Sequence, residues 1–374
     1  MKYFLIAGEP SGDQHASRLM QALAEKDHKA NFRFLGGDRM AEIGGKPVVH
    51  IREMAFMGFS QVLTNLGQIR RNFKRAKKAI YNFDPDVIIL VDYPGFNLRM
   101  AKWSRKKGYN TYYYIAPAVW AWNTRRVYSL KKSCDRIFSI LPFEPEFFRK
   151  YGMEVDYVGN PVFEEIQSVQ KSLAGNDRGQ KKQIALLPGS RKQEIERILP
   201  EMLSVISYFD EYEFVLAAMD SHRDLYEKLI PETCRIRLEF NRPLEVLNNS
   251  DAALVTSGTA TLETALMSVP QVICYKANAI SYQIARRLIK VPYISLVNLI
   301  LEGPAIPELI QGNCRTDKLL ACLKSILPGG ENHENQLLLA RSIQEKLGVQ
   351  KASINLSGLI TRSLEPIDRQ EKIF

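Results

Sequence analysis

What this sequence lacks already narrows what it can be. Its 374 residues hold no apolar stretch of bilayer-spanning length. The longest uncharged run, Gly108 to Thr124, is broken by Asn110, Pro117 and Asn123, whereas a spanning helix needs about 20 apolar residues. The apolar run near the start, Tyr3 to Ala7, is stopped by Glu9. That is shorter than the ~7–15 residues of a secretory core, so a cytosolic chain is expected. Cysteine is scarce: Cys134, Cys234, Cys274, Cys314 and Cys322 are all there are, with no CxxC pair. Neither a disulfide framework nor a zinc site is expected. His15, His28, His50, His222 and His333 form no ligand-spaced pair, and no metal site is expected. P-loop, GxGxxG and GxSxG patterns are all missing. Acidic residues are missing too between Met54 and Phe83.

What is present fits a globular chain. Hydrophobic residues make up 45% and charged residues 25%, which excludes disorder as the main state. At ~150 residues per domain the length suggests two domains, or three. Lys plus Arg total 51 against 41 Asp plus Glu, a formal net charge of +10. The excess is uneven. Arg70, Arg71, Lys74, Arg75, Lys77 and Lys78 fall inside the acid-free stretch. Such a cluster suits a polyanion: nucleic acid, an anionic lipid surface or a phosphorylated substrate. No nucleic-acid motif accompanies it.

Strand-like and helix-like segments alternate along the first half. Tyr3–Ala7, Phe32–Leu35, Val87–Val91, Thr111–Ile115 and Ile137–Ile140 read as buried strands. Between the first two, Asp13 to Glu25 carries Ala16, Leu19, Met20 and Leu23 at helical spacing. The second half repeats this with Ile184–Leu187, Phe214–Ala217, Ile236–Phe240, Ala252–Val255 and Val272–Tyr275. Strands separated by helical patterns imply βαβ units and parallel sheets. Gln167 to Lys182 is polar and glycine-containing, which places a linker there. Leu337 to Leu364 is helical in pattern, broken at Gly348.

In open α/β sheets, ligands bind beyond the carboxyl ends of the strands. After the first strand comes Gly8-Glu9-Pro10-Ser11-Gly12-Asp13, a turn with free N–H groups, or a plain strand–helix turn capped by Ser11 or Asp13. After Val91 comes Asp92, placed to face a cleft as a general base for an alcohol, or to cap the next helix. Trp120 and Trp122 follow the next strand, with Arg125 and Arg126 close behind. Trp faces suit sugar rings or acyl chains, and Arg suits phosphate; a buried aromatic corner is the plainer alternative. In the second half, Gly189-Ser190-Arg191 opens a helix where a diphosphate is stabilised by the helix dipole and a guanidinium. Ser257-Gly258-Thr259 forms a second such turn, and Glu263 one turn later suits the hydroxyls of a ribose; a Ser/Thr-capped helix with a dipole-compensating Glu is the plainer alternative. From Phe56 to Ile80 the apolar residues recur at helical spacing, including Phe59, Leu63 and Leu66. This basic amphipathic segment suits an anionic membrane, with Met57, Phe59 and Leu63 as an apolar lip; a core helix with a solvated basic face is the alternative.

Taken in order, these motifs resemble one family. Ala7 to Asp13, Phe56-Met57-Gly58, Asp92 to Asn97, Pro117 to Trp122, Leu141 to Glu144, Val158 to Pro161, Leu187 to Arg191, Ser257 to Glu263, and Asn298 with Pro307-Glu308-Leu309 follow one another. The chain resembles the lipid-A-disaccharide synthases, inverting glycosyltransferases of the GT-B type. The resemblance runs from residue 7 to about 310. It implies two Rossmann-like open parallel-sheet domains facing across a cleft. Residues 1–166 are then the acceptor and membrane-facing domain and 167–350 the UDP-sugar domain. Residues 351–374 form a helix and tail returning to the first domain. It implies transfer of 2,3-diacylglucosamine from UDP-2,3-diacylglucosamine to 2,3-diacylglucosamine 1-phosphate, without cofactor or metal. The products are UDP and a β-1,6-linked disaccharide 1-phosphate. Another GT-B transferase or a UDP-sugar epimerase with a soluble substrate is the alternative.

The resemblance also carries residue roles. Asp92 matches the candidate general base, Glu9 and Ser11 match functional positions in the first loop, Arg191 a required donor-side arginine and Asn298 a required asparagine. Gly189, Ser190, Arg191, Ser257, Gly258, Thr259 and Glu263 are the implied UDP site. Met57, Phe59, Leu63, Leu66, Arg70, Arg71, Lys74, Trp120, Trp122 and Arg125 are implied for the acceptor, its acyl chains or the membrane. Gly95 stands where some members have a second Asp, and Asn160 where many have His. The implied location is the cytoplasmic side of the inner membrane, peripherally bound. A homodimer with exchanged carboxyl-terminal parts is a further expectation, and no nucleic-acid partner is implied.

Overall fold

The computed structural model describes residues 1–54, 66–173, 182–348 and 351–365. The chain divides into two compact units, Met1–Pro161 with Gln350–Phe374, and Val162–Val349.

The first unit is built on a seven-stranded sheet. Its strands are β1 (Lys2–Ala7), β2 (Asn31–Gly36), β3 (Val49–His50), β4 (Val87–Val91), β5 (Thr111–Tyr114), β6 (Arg136–Ser139) and β7 (Asp156–Tyr157). Their order is β3-β2-β1-β4-β5-β6-β7, and every pairing is parallel. All five residues of β4, Val-Ile-Ile-Leu-Val, are buried. β-Branched residues fit a pleated surface covered on both faces. Period-two alternation splits the core in two. Phe4, Ile6, Ile88 and Leu90 face the helices Leu66–Phe83 and Pro94–Lys106. Tyr3, Leu5, Ile89 and Val91 face the helix Pro10–Lys26 and the helix Ala352–Leu364.

That last helix rejoins the first unit from the far end of the sequence. Leu356 and Ile360 are fully buried against the sheet, worth roughly 1.5–3 kcal/mol each. Ser363 and Tyr112 share a hydroxyl–hydroxyl bond of 2.9 Å, and the Asn355 amide donates to the Val158 carbonyl at 3.3 Å.

The second unit repeats the plan with β8 (Gln183–Leu187), β9 (Glu213–Ala218), β10 (Ile236–Phe240), β11 (Ala252–Thr256), β12 (Gln271–Tyr275) and β13 (Glu308–Ile310). The order is β10-β9-β8-β11-β12-β13, again parallel throughout. Among the described residues no helix is long and apolar enough to cross a membrane.

Two expectations change. The division falls at Pro161, before the helix Pro161–Leu173 and ahead of the expected boundary at residue 166. The helix goes with the second unit because its side chains pack there: Gln170 donates its amide to the Leu266 carbonyl at 3.3 Å. The polar tract itself, residues 174–181, lies outside the described residues. The second change concerns the first turn. Neither Ser11 nor Asp13 caps its own helix, which starts at Pro10 with Glu9 in the cap position.

Candidate active site

Strand order reverses between β1 and β4 in the first unit and between β8 and β11 in the second. At such a switch point the connections leave the sheet in opposite directions, and a crevice opens above the carboxyl ends of the strands. The motifs singled out from the sequence follow these four strands.

In the first unit Ala7 pairs with Val91 at the ends of β1 and β4. Glu9 and Asp92 therefore leave the sheet side by side. Asp92 and Tyr93 both take left-handed φ values, 46° and 49°, a strained form for these residue types. Three contacts hold the turn. The Asn97 amide and the Tyr113 hydroxyl each donate to the Asp92 carbonyl at 2.8 Å. The Tyr93 hydroxyl donates to the Met54 carbonyl at 2.8 Å. The backbone is pinned by contacts that do not use the Asp92 carboxylate, which itself accepts from the Tyr93 N–H. Burial pushes its pKa up to about 6, and the Glu9 charge pushes the same way. Gly8 is required here: a Cβ on it would meet the Tyr93 ring at 2.3 Å.

Asp13 serves a neighbouring segment. Its buried carboxylate accepts from the N–H groups of Gly37 at 2.5 Å, Arg39 at 3.1 Å and Met40 at 3.3 Å, capping the helix Asp38–Gly44. Ser11 stays exposed in the first turn of its helix.

The two tryptophans part company. Trp120 is buried, donates its indole N–H to Glu144 at 3.0 Å and meets Phe143 edge-on at 5.1 Å. Glu144 also accepts from the N–H groups of Ile140 and Leu141. Burial nevertheless lifts its pKa to about 7. Trp120 is thus the buried corner. Trp122 is 45% exposed and stacks under the Arg126 guanidinium at 4.6 Å, with Arg125 exposed beside it. Leu66, Arg70, Arg71 and Lys74 are exposed on the helix Leu66–Phe83. Met57, Phe59 and Leu63 lie outside the described residues.

In the second unit both anion-type turns open onto one cavity of about 440 Å³, lined by Gly189, Ser190 and Arg191 on one side and by Ser257, Gly258 and Thr259 on the other. Gly189 has φ +105°, and a Cβ there would meet Glu194 at 2.7 Å. Arg191 stands at the N-cap position of the helix Lys192–Leu203, its backbone N–H donating to Glu194 at 3.4 Å, and its guanidinium pairs with Glu194 at 2.9 Å while remaining exposed. His222 bonds the Ser190 carbonyl through Nε2 at 3.1 Å. The hydroxyl of Ser257 is used within the fold, donating to the Ile294 carbonyl at 3.0 Å. Glu263 also lines the cavity. Its pKa is raised to about 7, by burial first and by Glu165 second. An anion arriving here meets a guanidinium and two helix N-termini.

Sequence reading missed Met219 and Asn241, which also line this cavity. They lie just past the ends of β9 and β10, so the strand-end rule contains the signal that finds them. Asn298 is not among the lining residues. Its amide donates to the Ile306 carbonyl at 2.9 Å and to Glu308 at 3.0 Å, and its carbonyl accepts from the Ile306 N–H at 2.8 Å. It ties the helix Leu296–Leu301 to β13.

Two Rossmann-type parallel-sheet units with loops gathered at their switch points define a protein of GT-B type. Solved structures share the fold. UDP-GlcNAc 2-epimerase from Neisseria meningitidis, bound to UDP-GlcNAc, matches with a TM-score of 0.66 at 12% identity, over 97% of this chain and 99% of that one. The Methanocaldococcus jannaschii UDP-GlcNAc 2-epimerase, in complex with UDP-GlcNAc and UDP, matches with a TM-score of 0.66 at 14% identity, over 97% and 100%. Sequence narrows the class. The family described as lipid-A-disaccharide synthetase matches residues 3–359. Lipid-A-disaccharide synthase from Geobacter sulfurreducens is 33% identical over 97% of each chain. That from Nitrosococcus oceani is 35% identical over 92% of each. The chain belongs to the lipid-A-disaccharide synthetase family and is a glycosyltransferase.

Proposed function

We propose that this chain joins two acylated glucosamines. It transfers 2,3-diacylglucosamine from UDP-2,3-diacylglucosamine to 2,3-diacylglucosamine 1-phosphate. The observation that carries this reading is identity of 33–35% to enzymes of that name along more than nine-tenths of the chain. The likeness to epimerases, at 12–14% identity, concerns the fold.

The residues support a division of labour. Asp92 is the base. It takes the proton of the acceptor's 6-hydroxyl as that oxygen bonds to the anomeric carbon of the donor. The bond from that carbon to the UDP oxygen breaks, and the configuration inverts in one displacement. A pKa near 6 leaves Asp92 ionised at neutral pH while keeping it more basic than an ordinary carboxylate. The departing diphosphate is met by Arg191 and by the N–H groups that open the helices Lys192–Leu203 and Thr259–Leu266. Glu263 takes the ribose hydroxyls. Among the described residues no group of three or more His, Cys, Asp or Glu side chains is placed to hold a metal ion, and the roles above call for none.

The acceptor carries acyl chains, so the chain works at a lipid surface. The exposed face of Leu66, Arg70, Arg71 and Lys74 supports contact with the acylated acceptor or with an anionic membrane at its cytoplasmic side. A homodimer is tested by light scattering of the intact chain.

The test is a transfer assay in detergent with EDTA, following UDP and a tetraacyl disaccharide by mass. Product in EDTA supports donor, acceptor and metal independence together. UDP binding without product sends the search to other acceptors.

A further inference from the structure

The helices Leu66–Phe83 and Pro94–Lys106 meet through Phe73 and Phe96, whose ring centroids are 4.7 Å apart. Beside that contact lies a groove of about 680 Å³. Arg70, Arg71, Lys74 and Lys77 line it from the first helix and Arg99 from the second, and among the described residues no carboxylate lines it. Some other basic groups of the unit do have acidic partners, as Arg75 has Glu53 and Arg136 has Asp156, both at 2.6 Å. Among the described residues none of the groove's five cations makes an ion pair. The Lys77 ammonium is held over the Phe73 ring at 4.9 Å and the Trp103 ring at 5.3 Å.

Gathering unpaired cations beside one another costs free energy that a bound anion returns. The groove's size and its mixture of guanidinium and ammonium groups suit a phosphomonoester. Such a group carries about −1.5 to −2 charges at neutral pH and three strong acceptor oxygens. Its position supplies the second argument. The helix Pro94–Lys106 starts immediately after Asp92 and Tyr93. Arg99 lies five residues beyond Pro94, roughly 7–8 Å along the axis at 1.5 Å per residue. A hexose with its reacting hydroxyl at Asp92 needs only that order of reach to set a phosphate in the groove.

We propose that the groove formed by Arg70, Lys74, Lys77 and Arg99 binds the phosphate of the phosphorylated lipid acceptor and so sets the sugar's distance from Asp92. The inference rests on the transfer reaction proposed above. It adds that the acceptor's phosphate is a recognition element, held by particular side chains of the first unit.

The experiment crosses enzyme variants with acceptor variants. Wild type, Arg99→Ala and Lys74→Ala are compared on the acceptor with and without its 1-phosphate, in one detergent. Removing the phosphate should lower wild-type kcat/KM for the acceptor by roughly tenfold or more. Each variant should lose about as much on the phosphorylated acceptor through KM, with donor KM unchanged. On the dephosphorylated acceptor, wild type and variants should be alike. Arg99→Lys should recover part of the loss, since it keeps the charge and gives up the fork. Equal losses on both acceptors, or none, overturn the proposal. So does a variant that loses sedimentation with phosphatidylglycerol vesicles while its phosphate discrimination stays at the wild-type level, because the groove then serves the membrane surface. Circular dichroism and Tm confirm that each variant is folded. Binding of the two acceptors is also measured without donor. Phosphate-dependent binding by a chain that makes no disaccharide upholds the groove and removes the reaction alone.

Discussion

Glu9 and Asp92 stand two residues and one residue past the paired strand ends Ala7 and Val91, and the charge of Glu9 adds to burial in holding the Asp92 carboxyl up at about 6. A base must be unprotonated to work. Activity is therefore expected to fall as pH drops through about 6, with kcat/KM for the acceptor, taken at saturating UDP-sugar, showing an acidic limb there. Glu9→Gln removes the smaller cause of the shift. The limb should move to lower pH yet remain above the ordinary carboxylate range, because burial is the larger cause. A limb that stays in place in Glu9→Gln would show that Glu9 does not feel Asp92.

Asp92→Asn and Arg191→Ala separate chemistry from folding. Neither is expected to lower Tm, and Asp92→Asn, which no longer holds a buried charge, should raise it at neutral pH. Asp92 is anchored through its backbone carbonyl, which the substitution keeps. The Arg191–Glu194 pair is exposed on the arginine side, and such pairs contribute about 0–1 kcal/mol. Turnover is expected to fall by roughly 10²–10⁴ in Asp92→Asn. Arg191→Ala should lose most turnover as well, because a guanidinium aimed at a departing diphosphate acts most strongly in the transition state. Near-wild-type kcat in either would remove that residue from the mechanism.

Gly8→Ala tests the packing behind the base. A methyl group there must share space with the Tyr93 ring, 2.3 Å away. Tyr93 carries a left-handed φ and a hydrogen bond to Met54, so the ring has little room to give. A cost of about 1–3 kcal/mol is expected, read as a lower Tm. The Asp92 turn should shift with it, so kcat should drop even where the protein remains folded. An unchanged Tm with unchanged kcat would mean that the turn relaxes freely.

Much of this architecture was legible in advance, and the reasons are local. Val87–Val91 read as a strand because a sheet covered on both faces admits an unbroken apolar run. Both switch-point turns read as sites because each follows such a run. What escaped depended on partners far away in sequence. Asp13 looks like a cap for its own helix, but its acceptor oxygens go to Gly37, Arg39 and Met40. Trp120 looks like a ligand platform until Glu144 claims its indole N–H. The edge strands Val49–His50 and Asp156–Tyr157 have two residues each, too few to show a period. The groove beside Arg99 escaped for the same reason, since charge runs are read along one helix and this one needs two.

Asn298 separates a structural tie from direct participation. The hydrogen bonds of its side-chain amide go to Ile306 and Glu308. Asn298→Asp loses the donor and sets a second carboxylate beside Glu308 within the fold. Removing buried partners of this kind costs about 1–3 kcal/mol each. The expected result is a lower Tm, with activity falling because β13 and the helix Leu296–Leu301 come apart. If Asn298 instead touches substrate, activity will vanish in Asn298→Ala at unchanged Tm.

Glu263 has a stability consequence opposite in sign to that of a salt-bridged carboxylate. Burial raises its pKa from 4.5 to about 7 in the folded chain. Between those values the native state keeps a proton that the unfolded chain has released. Stability must then fall as pH rises through that window, by up to about 3 kcal/mol from this group. Glu263→Gln cannot ionise, and among the described residues no hydrogen bond of the carboxylate opposes the change. It should flatten the pH dependence and raise Tm at pH 8 relative to wild type. UDP provides the counterpart. If the ionised carboxylate takes the ribose hydroxyls, UDP binding should tighten from pH 6 to pH 8 in wild type. The Tm increment given by UDP should grow with it. In Glu263→Gln that increment should be small and flat. A variant that gains stability yet keeps the full pH-dependent UDP increment would leave the burial argument standing and take Glu263 out of the ribose site.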